Sequence, residues 1–372
     1  MMKRSQIMKS GFKILLAGFL AMSCLNAFSQ HFEKSSSISR SFGTTDETEI
    51  RINNKYGNIH LINWEKDSVR FEVEISVSSN KQSRLDKTFN EISIDFVNSP
   101  QYVFAQSLFQ NKSSSFWQDV SDFANIIFKG GTEARIDYTV YLPEQNDLDI
   151  ELKFGNIYTT DHSGDFRLNL SNGDLKAGKL AGKNRLSFNF GKAALDYFAE
   201  GRIETGYYDL EIDSITRANI ISKSSTLIFD DVASINIDSK RDKFHIGEIA
   251  EISGTSSFSY LNIRELQNEA VLQTNYGDVS MDKIKESFQL VNIRADYTDI
   301  KMGIPMDASF NVDLIFDPKT DLYVPEALVD NENKAPGADG ARILSGVYGN
   351  KEKPRAIFKA SMKGGSLQLF KY

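Results

Sequence analysis

The sequence is almost without cysteine: Cys24 is the single one in 372 residues. It lies within the first 29 residues, so a chain cut after Ser29 keeps no thiol. That excludes disulfides and thiolate metal sites and leaves packing to supply stability. Histidine is nearly as scarce, and His31, His60, His162 and His245 stand too far apart for any metal-ligand spacing. No run of basic residues occurs and the net charge is −7, which argues against nucleic acid and anionic lipid surfaces as partners. Long apolar runs are missing too. The run from Ile14 to Leu25 covers about 12 residues, where a membrane span needs about 20.

That run follows Lys3, Arg4, Lys9 and Lys13 and precedes Ala27-Phe28-Ser29. Basic, then apolar, then small residues is the order of a secretory signal peptide, residues 1–29, with cleavage after Ser29. Loss of the four basic residues takes the net charge from −7 to −11. Lipidation at Cys24 fits less well, because Leu20 lies one position too far upstream. The expectation is an exported protein, in the periplasm, at the cell surface or secreted, with no membrane span after signal removal. With 41% hydrophobic and 25% charged residues the mature chain has the means to build a real core.

What the chain does have is a repeat. Aliphatic anchors recur at Ile157, Leu175, Ala193, Leu210, Leu227, Ile246, Leu261, Val279 and Ile300, 15 to 21 residues apart. Within a unit, apolar and polar residues alternate, as in Asp209-Leu210-Glu211-Ile212, which is the period of a strand with one buried face. Two residues before the anchor stands a recurrent glycine, followed by Asn or Asp after Gly57, Gly155, Gly173 and Gly277. The motif reads Tyr56-Gly57-Asn58, Phe154-Gly155-Asn156, Gly173-Asp174, Gly191, Tyr276-Gly277-Asp278 and Gly365. Glycine permits positive φ at a tight corner, and Asn or Asp can bond the nearby backbone. A fixed period near 18 in short strands predicts an all-β fold, a parallel β-helix or solenoid whose turns stack about 4.8 Å apart. From Ser222 to Tyr260 the glycine is absent, and a distortion is expected there.

Matching turns at Ile59 and Leu367 place a turn near each end, separated from the main array by insertions. The predicted division is 46–149 for a first turn and a capping β insertion, 150–306 for the array, and 307–372 for C-terminal strands, a loop and a final turn. The first insertion offers a charged, helix-compatible stretch at "KQSRLDKTFNEI" and strands expected to form a small antiparallel sheet over one end. Capping suits a stacked fold, since open strand edges recruit other chains.

Candidate chemistry is sparse. Tyr56, Phe154, Phe190, Tyr207, Phe258, Tyr276 and Tyr297 stand three before the anchors and would stack into an aromatic ladder. Exposed, it would be a platform for sugar rings; its parity with the apolar position minus seven predicts an interior ladder instead. Acidic residues at one per turn do not assemble the six to eight oxygens calcium prefers, so neither metal nor cofactor is expected. A catalytic reading rests on Asp230, Asp231 and Arg241, but adjacent residues of a strand point to opposite faces. Strands of four to six residues are also too short for an outer-membrane barrel, whose strands need about nine to eleven.

The segments "NKYGNIHLINW", "YTVYLPEQNDLDIELKFGNIYTTDHSG" and "TNYGDVSM" resemble the bacterial putative-adhesin family with β-strand repeats, related to head-GIN adhesin-like domains. The resemblance runs from Glu49 to the C-terminus and is strongest over Tyr138 to Ile304. It implies an exported protein of a Gram-negative bacterium with a solenoidal β fold, and it carries over no catalytic residue. The expected function is noncatalytic: attachment to a cell-surface glycan or an envelope protein through the surface of the fold. The alternatives are a polysaccharide-cleaving enzyme on a β-helix and a periplasmic envelope scaffold or sensor.

Overall fold

The computed structural model describes residues 31–109, 131–325, 332–333, 340–350 and 354–372. The expected signal peptide, and Cys24 with it, lies outside them. Among the described residues the architecture is all-β with one helix, and the strands join one sheet that does not close on itself. No helix among them is long and apolar enough to cross a membrane.

The chain divides into two units. The described part of the first comprises residues 31–36, 76–92, 109 and 131–134. Its helix, Gln82–Glu91, has no side-chain cap at Lys81 and depends on burying Leu85 and Thr88. Lys34 pairs with Asp86 at 3.5 Å, its ammonium 4.5 Å from the Phe89 ring centre.

The second unit, residues 37–75, 93–108 and 135–372, holds the repeat. Strands pair in parallel at a nearly constant offset. Leu168 lies between Ile150 and Leu186, and Ile237 between Ile220 and Gly254. The first five of these residues but one, Ile150, Leu168, Leu186 and Ile220, are 0% exposed, and Ile237 is 1% exposed. Alternation carries the burial: in Asp209–Ile212 every second residue is buried and its neighbours are exposed. Leu367 lies opposite Ile300, and Ile59 opposite Ile157.

Three expectations need correction here. The anchor expected at Ile246 is Phe244, which pairs with Leu227 on one side and Leu261 on the other. Both residues are buried on one face two positions apart, so the period of two could not separate them. With Phe244 in place Thr226–Lys240 pairs with Lys243–Ser257 at one constant offset, and the distortion expected between Ser222 and Tyr260 is confined to the next pairing, that of Lys243–Ser257 with the 260–284 strand. Its one register shift, between Ile249 and Glu251, is a single extra residue on the 260–284 strand. Finally, residues 138–142, in one of the strands expected to form the antiparallel cap, pair in parallel with Ile59–Asn63, and Glu49–Tyr56 lies between Tyr102–Phe109 and Leu148–Phe154, parallel to both.

Candidate functional site

The corners are where the repeat meets solvent, and their geometry differs from a simple glycine turn. Glycine is required because neighbouring corners approach closely. A Cβ on Gly155 would sit 1.9 Å from the carbonyl oxygen of Gly57, and one on Gly173 would sit 1.8 Å from that of Gly155. Gly191, Gly277 and Gly365 face the same limit against Gly173, Ser259 and Thr298. Of the motif glycines, Gly57, Gly155, Gly191 and Gly365 take positive φ, whereas Gly173 and Gly277 do not.

The polar residue after the glycine bonds the next layer. Asn58 Oδ1 accepts the N–H of Asn156, Asn156 Oδ1 that of Asp174, and Asp174 Oδ1 that of Lys192, at 2.8 to 3.0 Å. Asp278 is in register with Asp299; burial, and then that neighbouring charge, hold its carboxyl above the ordinary value.

From Asn172 onward the left-handed conformation moves one residue earlier. Asn172, Phe190, Tyr207, Ser224, Arg241, Phe258, Tyr276 and Tyr297 all have φ between 49° and 62°, and every non-glycine residue of positive φ among the described residues belongs to this column. Its aromatic members are exposed, which overturns the interior ladder expected from parity. Phe190, Tyr207, Phe258, Tyr276 and Tyr297 are 48 to 54% exposed. Alternation holds only along extended backbone; a left-handed residue turns the chain and directs the ring outward. Tyr56 and Phe154 lack that conformation, and Tyr56 is buried.

The rings form flat stacks. Phe190 and Tyr207 lie 5.2 Å apart at 3°, Phe258 and Tyr276 5.1 Å at 7°, Tyr276 and Tyr297 5.2 Å at 5°. Tyr56 and Phe154 stack likewise at 5.3 Å. Between the two exposed stacks stand Ser224 and Arg241, so among the described residues Tyr207 and Phe258 each have a ring stacked on one face only. A stacked column thus offers ring edges along its length and free faces at this two-layer gap.

Beneath the gap, the missing glycines are replaced by a buried polar network that sequence reasoning missed. Asp242, 0% exposed, accepts hydrogen bonds from Ser222 Oγ and Ser239 Oγ at 2.7 Å and from the N–H groups of Ser225 and Lys240 at 2.8 and 2.9 Å. The signal was a 17-residue recurrence of small polar residues, Ser222, Ser239 and Ser256 in one column and Ser225, Asp242 and Ser259 in the other.

The catalytic candidates do not converge. Asp231 is in register with Ser214 and Glu248, whereas Arg241 belongs to the left-handed column, and no hydrogen bond or ion pair joins Asp230, Asp231 and Arg241 among the described residues. The histidines remain apart as well. His60 stacks on Tyr158 at 4.7 Å, and His162 is buried, its imidazole pushed down to about 4 by loss of solvent.

Comparison with solved structures returns chains of low identity. A putative cell adhesion protein from Clostridium sporogenes is 7% identical, covers 91% of this chain and 100% of its own, with a TM-score of 0.17. Putative adhesins from Parabacteroides distasonis and Bacteroides fragilis are 11% and 12% identical, each over 72% of this chain and 93% and 97% of their own, with TM-scores of 0.29. These neighbours bear the putative-adhesin name that the sequence resembles. No family model and no curated protein matches the chain.

Proposed function

We propose that the chain is an exported, noncatalytic attachment protein, a β-helical solenoid that meets a cell-surface glycan or an envelope protein through its aromatic corner. Parallel pairing at a nearly constant offset supports the solenoid over residues 150–306. The observation that carries the function is the column itself. A left-handed conformation costs a non-glycine residue about 1–2 kcal/mol, yet five of these positions hold large rings and leave half of each in water. Strain kept at an exposed position is the mark of a working surface. The free faces of Tyr207 and Phe258 suit the C–H face of a sugar ring, and Arg241 between them offers donors to its hydroxyls.

Two measurements test this reading. Protease treatment of intact cells carrying a tagged copy, with a lysed control, removes the tag if the protein is displayed outside; protection until lysis would sink direct attachment. The purified chain is then bound to an array of neutral glycans and to intact cells beside Tyr207→Ala/Phe258→Ala. A folded double variant should bind at least tenfold more weakly, and equal binding would refute the corner.

A further inference from the structure

An open depression of about 640 Å³ in the second unit is lined by a second column, and this one is basic. Arg167 lies directly opposite Arg185 on the neighbouring parallel strand. A Cβ on Gly201 would sit 1.9 Å from the carbonyl oxygen of Asn184, so these two backbones lie against each other and Arg202 follows beside Arg185. Lys183 and Arg217 line the same depression. Like charges directly opposite on adjacent strands are destabilising, and here they recur in a chain whose net charge is negative.

Local carboxylates answer only part of this charge. Arg167 pairs with Asp149 at 2.8 Å and Glu49 at 3.4 Å, and Arg202 with Glu204 at 2.6 Å. Arg185, between them, and Arg217 have no carboxylate partner among the described residues, and both are exposed. Asp147 and Asp165 also line the depression and lend it negative charge, but they bond the backbone N–H groups of Asp165 and Lys183 at 2.9 and 2.8 Å and neither pairs with Arg185 or Arg217 among the described residues. Arg185 and Arg217 are thus solvent-facing guanidinium groups with no carboxylate pair among the described residues.

We infer that this depression binds an acidic sugar chain, one of uronate type, with Arg185 and Arg217 taking its carboxylates. The guanidinium fork matches a carboxylate in two parallel bonds, and arginine suits that role better than lysine. The mixed lining chooses the class of polyanion. Carboxylates such as Glu200 and amides such as Asn219 and Asn236 beside the arginines accept from and donate to hydroxyls, which the phosphodiester backbone of DNA lacks. A uronate chain presents both hydroxyls and spaced carboxylates. This inference stands independently of the aromatic corner.

The test uses calorimetric titration of the purified chain with oligogalacturonate, its methyl ester and a single-stranded oligonucleotide. The free acid should bind at least tenfold more tightly than the ester, with affinity falling as salt rises. Arg185→Gln/Arg217→Gln should lose at least tenfold, Arg185→Lys/Arg217→Lys an intermediate amount, and Tyr207→Ala/Phe258→Ala nothing. Circular dichroism confirms that each variant is folded. Equal binding of acid and ester, no binding of either, a double glutamine variant that binds as the parent does, or tighter binding of the oligonucleotide would each overturn the inference.

Discussion

Replacing Tyr276 separates what the aromatic column contributes to stability from what its backbone costs. Its ring stacks on two others, at 5.1 and 5.2 Å, and is 48% exposed. Each stack contributes roughly 0.5–1.5 kcal/mol beyond burial, and half-burial of a large side chain about 1 kcal/mol more. Exposure reduces the sum, so Tyr276→Ala should cost about 2–3 kcal/mol. Alanine keeps the left-handed penalty at φ 52°, whereas glycine releases about 1–2 kcal/mol of it and gives back about 0.5–1 through the freer unfolded chain. Tyr276→Gly should therefore cost only about 1–2 kcal/mol and be the more stable of the two. Urea unfolding followed by circular dichroism gives the order. Hydrogen exchange at the Phe258 amide, which donates to the Asn275 carbonyl at 2.8 Å, reports the same corner locally. If alanine equals or exceeds glycine in stability, the backbone stores no strain there. If glycine costs more than about 3 kcal/mol, the rings are held for structure and the argument for a working surface fails.

Three further outcomes follow from the same geometry. Asp242→Ala orphans the buried N–H of Ser225 and the part-buried N–H of Lys240, strips Ser222 Oγ of its acceptor and leaves Ser239 Oγ only Ser259; a loss of about 3 kcal/mol is expected in urea unfolding, with faster exchange at both amides. Gly173→Ala drives a methyl to 1.8 Å from the Gly155 carbonyl oxygen, so a loss of about 3 kcal/mol, or failure to fold, should appear in the same assay, and a neutral result would contradict the corner packing. His162 is pushed down to about 4 from 6.5 by burial, so the unfolded chain binds the extra proton first and stability drops as pH falls from 6.5 toward 4, by about 3 kcal/mol in all; His162→Phe should flatten that slope.

Much of the fold was legible because its signals are periodic and local. Glycine at a spacing of 18, followed by Asn156 or Asp174 at the first two corners, marks Gly155, Gly173 and Gly191 directly, and their packing against the preceding corner is a backbone contact that no other residue permits. Where the corner is built from side chains, the signal changes its chemistry. Ser225, Asp242 and Ser259 hold their corners through hydroxyl and carboxylate bonds, so a search for glycine reads their segment as a gap. The displaced anchor has a related cause. Phe244 and Ile246 share a face, and only the pairing of Phe244 with Leu227 and Leu261 chooses between them.

The aromatic column shows why the candidate site was harder to place than the fold. Its residues were identifiable, since Phe190, Tyr207, Phe258, Tyr276 and Tyr297 recur in step with the repeat. Their side of the backbone was not, because a period of two says which residues share a face only while the chain stays extended. One left-handed residue per layer resets that alternation at the corner, and the tyrosine or phenylalanine that occupies it is turned into solvent although its parity matches the core. The same resetting explains why Ser224 and Arg241 belong with the rings: what unites the column is a backbone conformation, not a residue type. A surface built this way can change its chemistry layer by layer, from ring to hydroxyl to guanidinium, while the buried positions beneath keep their pairing.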